Sequence, residues 1–188
     1  MKMKSNLILH GCVHGRFQPP HLEHLEYIQA ALTQVDHLYI GIAQPDAPHL
    51  DECADDPHRS LAPDNPLTYV ERCEAIEKML TSVGVHREKY SFTKFPIDRP
   101  AELPNYVPTS VVCFTTIRDE WNHRKIEKLK AQGYTVQVLW DKSDEQGISG
   151  TEIRKQIRAS DDSWQEKVHP AVVGYLNSAY LIDRIKLG

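Results

Sequence analysis

The sequence predicts an α/β protein: an open, parallel, five-stranded Rossmann-like sheet with helices on both faces. Three observations lead there. Apolar, β-rich runs recur along the chain with helical periodicity between them, the rhythm of parallel strands joined by crossovers. The 188 residues amount to about one domain at roughly 150 residues each. Prolines and polar residues gather into a few stretches that separate these elements.

In chain order, a first strand is expected at about 6–13 and a helix at about 20–34, with Pro20 opening that helix at its first position. A second strand follows at about 36–42. From Gln44 to Pro66 the residues Pro45, Pro48, Pro57, Pro63 and Pro66 forbid a regular element, so a long surface loop is expected. A helix over about 67–82 starts at the capping pattern Thr68-x-x-Glu71 and carries the apolar stripe Tyr69, Cys73, Ile76, Leu80 and Val83. Strands at about 90–96, 109–115 and 134–140 complete the sheet. A polar stretch from Asp98 to Pro108 precedes the fourth strand, and a helix at about 118–131 links the fourth to the fifth. After the loop Asp141–Gly147, Ser149 and Glu152 have capping-box spacing, predicting helices from about 150 to 159 and from 171 to 185. The whole of 1–188 is read as one domain ending in these helices.

Composition excludes several classes. With 22 Lys+Arg against 26 Asp+Glu the net charge is −4, so no global field draws the chain to nucleic acid or to an anionic membrane, although a local basic pocket stays open. Cys12, Cys53, Cys73 and Cys113 form no C-x-x-C pair, and reduced, mostly buried thiols are expected. The apolar run Leu7-Ile8-Leu9 is too short for a secretory segment, and none approaches the ~20 residues of a membrane span. A cytoplasmic protein is expected.

The chemistry concentrates in His14-Gly15-Arg16-Phe17-Gln18-Pro19-Pro20-His21-Leu22-Glu23-His24, between the first strand and its helix. On a helical wheel, His21 and His24 share the stripe of Leu25, Ile28, Ala31 and Leu32 and occupy the first turn, where free N–H groups and the helix dipole favour an anion. Together with Arg16 they form a phosphate clamp, in which imidazolium would be favoured. The wheel turns Glu23 to the opposite side. A His-x-x-His pair can also be polar surface or a metal pair, but no H-E-x-x-H pattern accompanies it. A second anion site is expected at Ile148-Ser149-Gly150-Thr151-Glu152-Ile153-Arg154, with Arg154 reaching back over the helix start; an ordinary capped helix is its bland counterpart. Arg72 is a weaker phosphate candidate.

Taken together, these segments resemble a known family. His14 to His24 resembles the G-x-F-x-P-x-H-x-G-H motif of the nucleotidyltransferase superfamily, which includes cytidylyltransferases and nicotinamide-mononucleotide (NMN) adenylyltransferases. Ser149 to Arg154 resembles that superfamily's I-S-S/G-T-x-I/V-R motif. The Gly-Arg-Phe-Gln-Pro variant, Asn65–Arg72, Trp164 and Val168–Val173 look most like the archaeal-type NMN adenylyltransferases, and cytidylyltransferase domains acting on small phosphonates are similar too. Glu23 stands where the motif has its second glycine, and the loops about Pro96–Pro100 and Phe114–Trp121 differ from the archaeal acceptor pattern. The choice of ATP or CTP and of acceptor therefore stays open.

The resemblance implies attack by an acceptor phosphate or phosphonate oxygen on the α-phosphorus of a nucleoside triphosphate, with release of pyrophosphate. It implies that His21 and His24 contact the phosphates in transfer and that Arg16 and Arg154 hold the triphosphate. Gly15, Phe17, Ser149, Gly150 and Thr151 would line the nucleotide site, and Arg99, Arg118 and Trp121 would serve the acceptor. Mg²⁺ would arrive with the nucleotide, without a dedicated protein ligand. Related folds often assemble, so a homo-oligomer is admitted. The competing readings are a catalytically weakened nucleotide-binding sensor and a His-metal hydrolase.

Overall fold

The computed structural model describes residues 7–45 and 60–188. Cys53 and most of the Gln44–Pro66 loop lie outside the described residues. Five strands, β1 (Ile8–Gly15), β2 (Val35–Ile42), β3 (Tyr90–Lys94), β4 (Val112–Ile117) and β5 (Val136–Asp141), alternate with helices α1 (Leu22–Leu32), α2 (Tyr69–Ser82) and α3 (Glu120–Ala131). Helices α4 (Gly150–Arg158), α5 (Pro170–Ser178) and α6 (Leu181–Leu187) follow. All strand pairs are parallel, in the order β3-β2-β1-β4-β5.

Alternation along the strands builds a core on each face of the sheet. Val13 of β1 and Phe114 of β4 pack with Ile28, Ile76, Ile153 and Val172 of α1, α2, α4 and α5. Cys12 and Cys113 point the other way, into a cluster with Leu103, Leu129 and Tyr134 that α3 and the 3-10 turn Pro100–Asn105 cover. With both faces buried, the strands read as near-continuous apolar runs. Both thiols are inaccessible to solvent, and Cys73 is partly buried.

Two expectations are corrected. The single helix at 171–185 is two, α5 and α6, separated at Tyr180, whose φ of 56° is left-handed and cannot continue a helix. Pro20 does not open α1: His21 is the N-cap and Leu22 the first helical residue, so Pro20 lies outside.

The chain leaves β1 in one direction to β2 and β3 and returns on its other side to β4 and β5. The strand order therefore reverses between β1 and β4, and ligands of open α/β sheets bind outside the carboxyl ends of the strands at such a reversal. The geometry opens there. β1 pairs with β2 as far as Gly15 and Ile42, whereas its pairing with β4 is confined to Gly11–Val112 and Cys12–Cys113. The Tyr27 hydroxyl bridges the gap, donating to the Phe114 carbonyl at 2.5 Å and accepting from the His14 N–H at 3.3 Å.

Candidate active site

A cavity of about 310 Å³ lies in this crevice, and its lining draws on the ends of β1, β2, β4 and β5, the start of α1 and the start of α4. Among the expected site residues Gly15, Arg16, Phe17, His21, His24, Arg118, Trp121, Gly150 and Arg154 line it. Ser149 borders a second hollow beside it, with Glu23, Gly147 and Glu152. Thr151 is exposed and touches the site through Arg154.

His21 and His24 stack at the start of α1, their ring centroids 3.6 Å apart. The His21 backbone N–H donates to His24 Nδ1 at 3.2 Å. An accepting Nδ1 carries no proton, so the neutral His24 ring has its hydrogen on Nε2. Phe17, buried above Gly15, packs its ring 4.7 Å from that of His24 and fixes its orientation. His21 Nδ1 is buried with no hydrogen-bond partner among the described residues. A phosphate's negative charge would favour imidazolium, and the protein's own surroundings act in the opposite direction. Burial first, and then repulsion from the neighbouring imidazole of His24 were it protonated and from Arg118, hold His21 well below the ordinary histidine range, while burial and Arg118 push His24 down to about 3. Both rings are neutral N–H donors at pH 7.

A stability consequence follows, and its sign is fixed by that depression. An unfolded histidine takes up a proton below about pH 6.5, whereas folded His24 stays neutral down to about 3. Its contribution is complete above pH 6.5 and shrinks as pH falls, by about 2 kcal/mol at pH 5. We expect the melting temperature to fall between pH 7.5 and 5, and His24→Asn, which retains an acceptor for the His21 N–H, to lessen that fall by several degrees. Parallel melting curves for the variant and the parent would show the imidazole to be protonated in place.

Gln18, which the sequence reading passed over, holds the two motifs together. Its side-chain amide exchanges hydrogen bonds with Leu67, donating at 2.8 Å and accepting at 2.9 Å, and its backbone carbonyl accepts from Arg154 Nη1 at 2.8 Å. A side chain at Gly150 would put its Cβ 2.8 Å from that carbonyl, so only glycine lets α4 begin this close to the loop before α1. Ser149 caps α4 by accepting from the Glu152 N–H at 3.0 Å. Arg154 is 1% exposed, and its fork also grips Asp64 and the Thr151 hydroxyl. Asp64 belongs to the proline-rich loop, where no spacing signals a partner for α4.

Arg72 is not a phosphate ligand. It is wholly buried and donates to the carbonyls of Arg16 (2.9 Å), Ala43 (2.6 Å), Gln44 (2.8 Å) and Thr68 (3.1 Å). Burial pushes its guanidinium down to about 10. Its place is structural: one fork ties the ends of β1 and β2 to the start of α2.

The acceptor candidates separate. Arg99 does not line the cavity; its guanidinium lies 3.0 Å from both carboxylate oxygens of Glu102, within the 3-10 turn. Trp121 lines the cavity, with the Lys125 ammonium 5.0 Å from its ring centroid. Arg118 stands between the first motif and the start of the second: its Nη2 lies 2.8 Å from Glu23 Oε2, and its guanidinium rests on Gly147, where a Cβ would sit 2.2 Å from Nη1. Glu23 therefore faces the cavity, contrary to the wheel. A wheel reports which face of α1 meets the sheet, but the cavity wraps round the helix's open end. On the far side of the cavity the rings of His14 and Phe95 stack at 4.4 Å beside Ala43 and Ile97. Among the described residues no cluster of three His, Cys, Asp or Glu side chains is placed to hold a metal ion, and no helix is long and apolar enough to cross a membrane.

Comparison with known proteins places this geometry. A family model described as cytidylyltransferase-like matches residues 12–156. The phosphonoformate cytidylyltransferase of Streptomyces viridochromogenes is 36% identical over 176 residues, covering 94% of this chain and 95% of that protein. The nicotinamide-nucleotide adenylyltransferase of Thermococcus sibiricus is 28% identical over 180 residues, covering 95% of this chain and 89% of that protein. In fold, the chain matches a bifunctional NMN adenylyltransferase/ADP ribose pyrophosphatase from Francisella tularensis, solved with AMP and a manganese ion, with a TM-score of 0.63 at 16% identity. The match covers 95% of this chain and 52% of that one, so this chain spans about half its length.

Proposed function

The chain belongs to the cytidylyltransferase-like family and is a nucleotidyltransferase, and from that premise we propose that it transfers CMP from CTP to a small phosphonate-bearing acid, releasing pyrophosphate. The observation that carries this reading is the 36% identity, over nearly the full length of both chains, to a phosphonoformate cytidylyltransferase. The adenylyltransferases of Thermococcus sibiricus and Pyrococcus abyssi stand at 28% and 26% over similar spans. The site supports it as well: one cavity brings Arg16, His21 and His24 together with Glu23 and Arg118, and the His14–Phe95 stack forms its wall beside Ala43 and Ile97.

In the proposed reaction a phosphonate oxygen attacks the α-phosphorus of CTP. The new O–P bond forms as the bond from the α-phosphorus to the bridging oxygen breaks, and pyrophosphate leaves with that electron pair. A nucleophile that is already anionic needs no base, so the chain's work is to align the reactants and to stabilise charge as it develops. His24 Nε2–H, His21 and the free amides of α1 serve the α-phosphate. Arg16 balances the triphosphate, and Arg154 acts through Gln18 and Asp64 by locking α4 against the loop that carries the histidines. Mg²⁺ supplies further charge neutralisation when it arrives with the nucleotide. The donors here are imidazoles and guanidinia, and Glu23 is paired with Arg118, so the phosphate oxygens themselves would hold the ion.

A screen of pyrophosphate release tests this, crossing CTP and ATP with phosphonoformate, NMN, nicotinate mononucleotide and phosphopantetheine. CTP with the phosphonate should give the highest kcat/KM. Faster turnover of ATP with NMN would overturn the assignment and leave an adenylyltransferase.

A further inference from the structure

Resting on the cytidylyl reading above, we infer that the Glu23–Arg118 pair reads the nucleobase and selects cytosine. The pair stands on the β4–β5 side of the crevice, across α1 from the His14–Phe95 wall, and both residues line the cavity. Its side chains remain 24% and 27% exposed, so the edge of the ion pair is open to a ligand. The contacts leave specific groups over. Arg118 Nη2 meets Glu23 Oε2, while among the described residues Glu23 Oε1 accepts no hydrogen bond and the other guanidinium N–H groups of Arg118 donate none. A carboxylate oxygen and guanidinium N–H groups thus lie side by side.

Neighbouring parts of the chain hold that arrangement still. Asn122 Oδ1 accepts from the backbone N–H groups of Arg118 at 2.9 Å and Asp119 at 3.2 Å, pinning the turn between β4 and α3. Gly147 provides the flat seat for the guanidinium. Glu23, at the second position of α1, is carried by the same helix end that presents His21 and His24. A nucleoside whose phosphates lie at the imidazoles would extend its base along the same helix end, toward the pair.

The pairing chemistry selects among bases. Cytosine presents one amino donor beside two acceptors, N3 and O2, and complements a carboxylate next to a guanidinium. Uracil has a carbonyl in place of the amino group, and its O4 would face the Glu23 carboxylate with no hydrogen between them. A polar site built for one pattern rejects its mismatch strongly, because buried groups are left unpaired.

The test is the ratio of kcat/KM for CTP over UTP with phosphonoformate as acceptor, in the parent, Glu23→Gln, Glu23→Gly and Arg118→Gln. The ratio within one variant is independent of how much of that preparation is folded. The parent should favour CTP by about 10²-fold or more. Glu23→Gln, whose amide can donate to O4, should lower the ratio at least about tenfold, mainly by improving UTP. Glu23→Gly and Arg118→Gln should lower it mainly by weakening CTP. If the parent prefers CTP and all three variants keep its ratio, the base-reading role is overturned while the cytidylyl assignment stands. If the parent uses ATP and not CTP, both fall together.

Discussion

Replacing His24 by alanine should lower turnover at saturating substrates by about 10²–10³, the usual loss for one donor aimed at developing charge, and His21→Ala should do the same. The expectation rests on protonation and geometry together. The His21 N–H occupies His24 Nδ1 at 3.2 Å, so the only hydrogen the ring can offer is on Nε2. Burial keeps the ring neutral, and a buried neutral donor stabilises a phosphoryl transition state without first being stripped of water. Alanine also removes the acceptor that caps the His21 amide, which confounds catalysis with helix stability. His24→Asn separates the two, because its side-chain oxygen can still accept from His21 while nothing replaces Nε2–H. It should melt close to the parent at pH 7.5 and still lose about a hundredfold in kcat. Near-normal turnover in His24→Asn would remove the imidazole from the chemistry and leave it as a cap.

Arg72→Met should be the most destabilising single change, at about 3–5 kcal/mol. The guanidinium donates to four backbone carbonyls just beyond β1 and β2 and at the N-cap of α2; methionine fills the space but removes that donor from each, and the Thr68 carbonyl alone keeps the backbone N–H of residue 72, at 3.2 Å. At roughly 2–4 °C per kcal/mol for a chain of this size, the melting temperature should fall by about 6–20 °C. Arg72→Lys keeps the charge but not the fork, and it should recover only part of the loss. Activity should fall with stability, since two of those carbonyls belong to Arg16 and Ala43, which line the cavity. A melting temperature for Arg72→Met within about 2 °C of the parent would show that water satisfies those carbonyls.

Arg72 also marks the limit of sequence reading. Behind a capped helix start, Arg72 reads as a structural residue and a weaker phosphate candidate, because residue type reports charge and not what surrounds it. Only the fold brings the carbonyls of Arg16, Ala43 and Gln44 round it. Arg99 is similar: its neighbour Glu102 is visible in the sequence, but that the guanidinium turns to it while Ile97, two residues before, lines the cavity is not.

The first turn of α1 shows the opposite case. Placement of His21 and His24 at a helix start beyond an apolar strand was legible, because strand, turn and helix are local and their periodicities lie within a few residues. The strands, the alternation of helix and strand and the Ser149 cap were legible for the same reason. The missed break at Tyr180 is local as well, but a tyrosine with positive φ leaves no mark in composition.

By itself, then, the sequence determined the α/β order, the parallel sheet and the pair of motifs whose residue types point to phosphate chemistry, all of which rest on short-range pattern. Tertiary structure alone decided the rest: that Gln18 and Gly150 bring the two motifs into contact, that Asp64 grips Arg154, and that Glu23 turns to Arg118 at the cavity. These contacts join residues separated by up to 136 positions. They depend on where the sheet reverses its strand order, and periodicity within a single element carries no information about which distant element will face it.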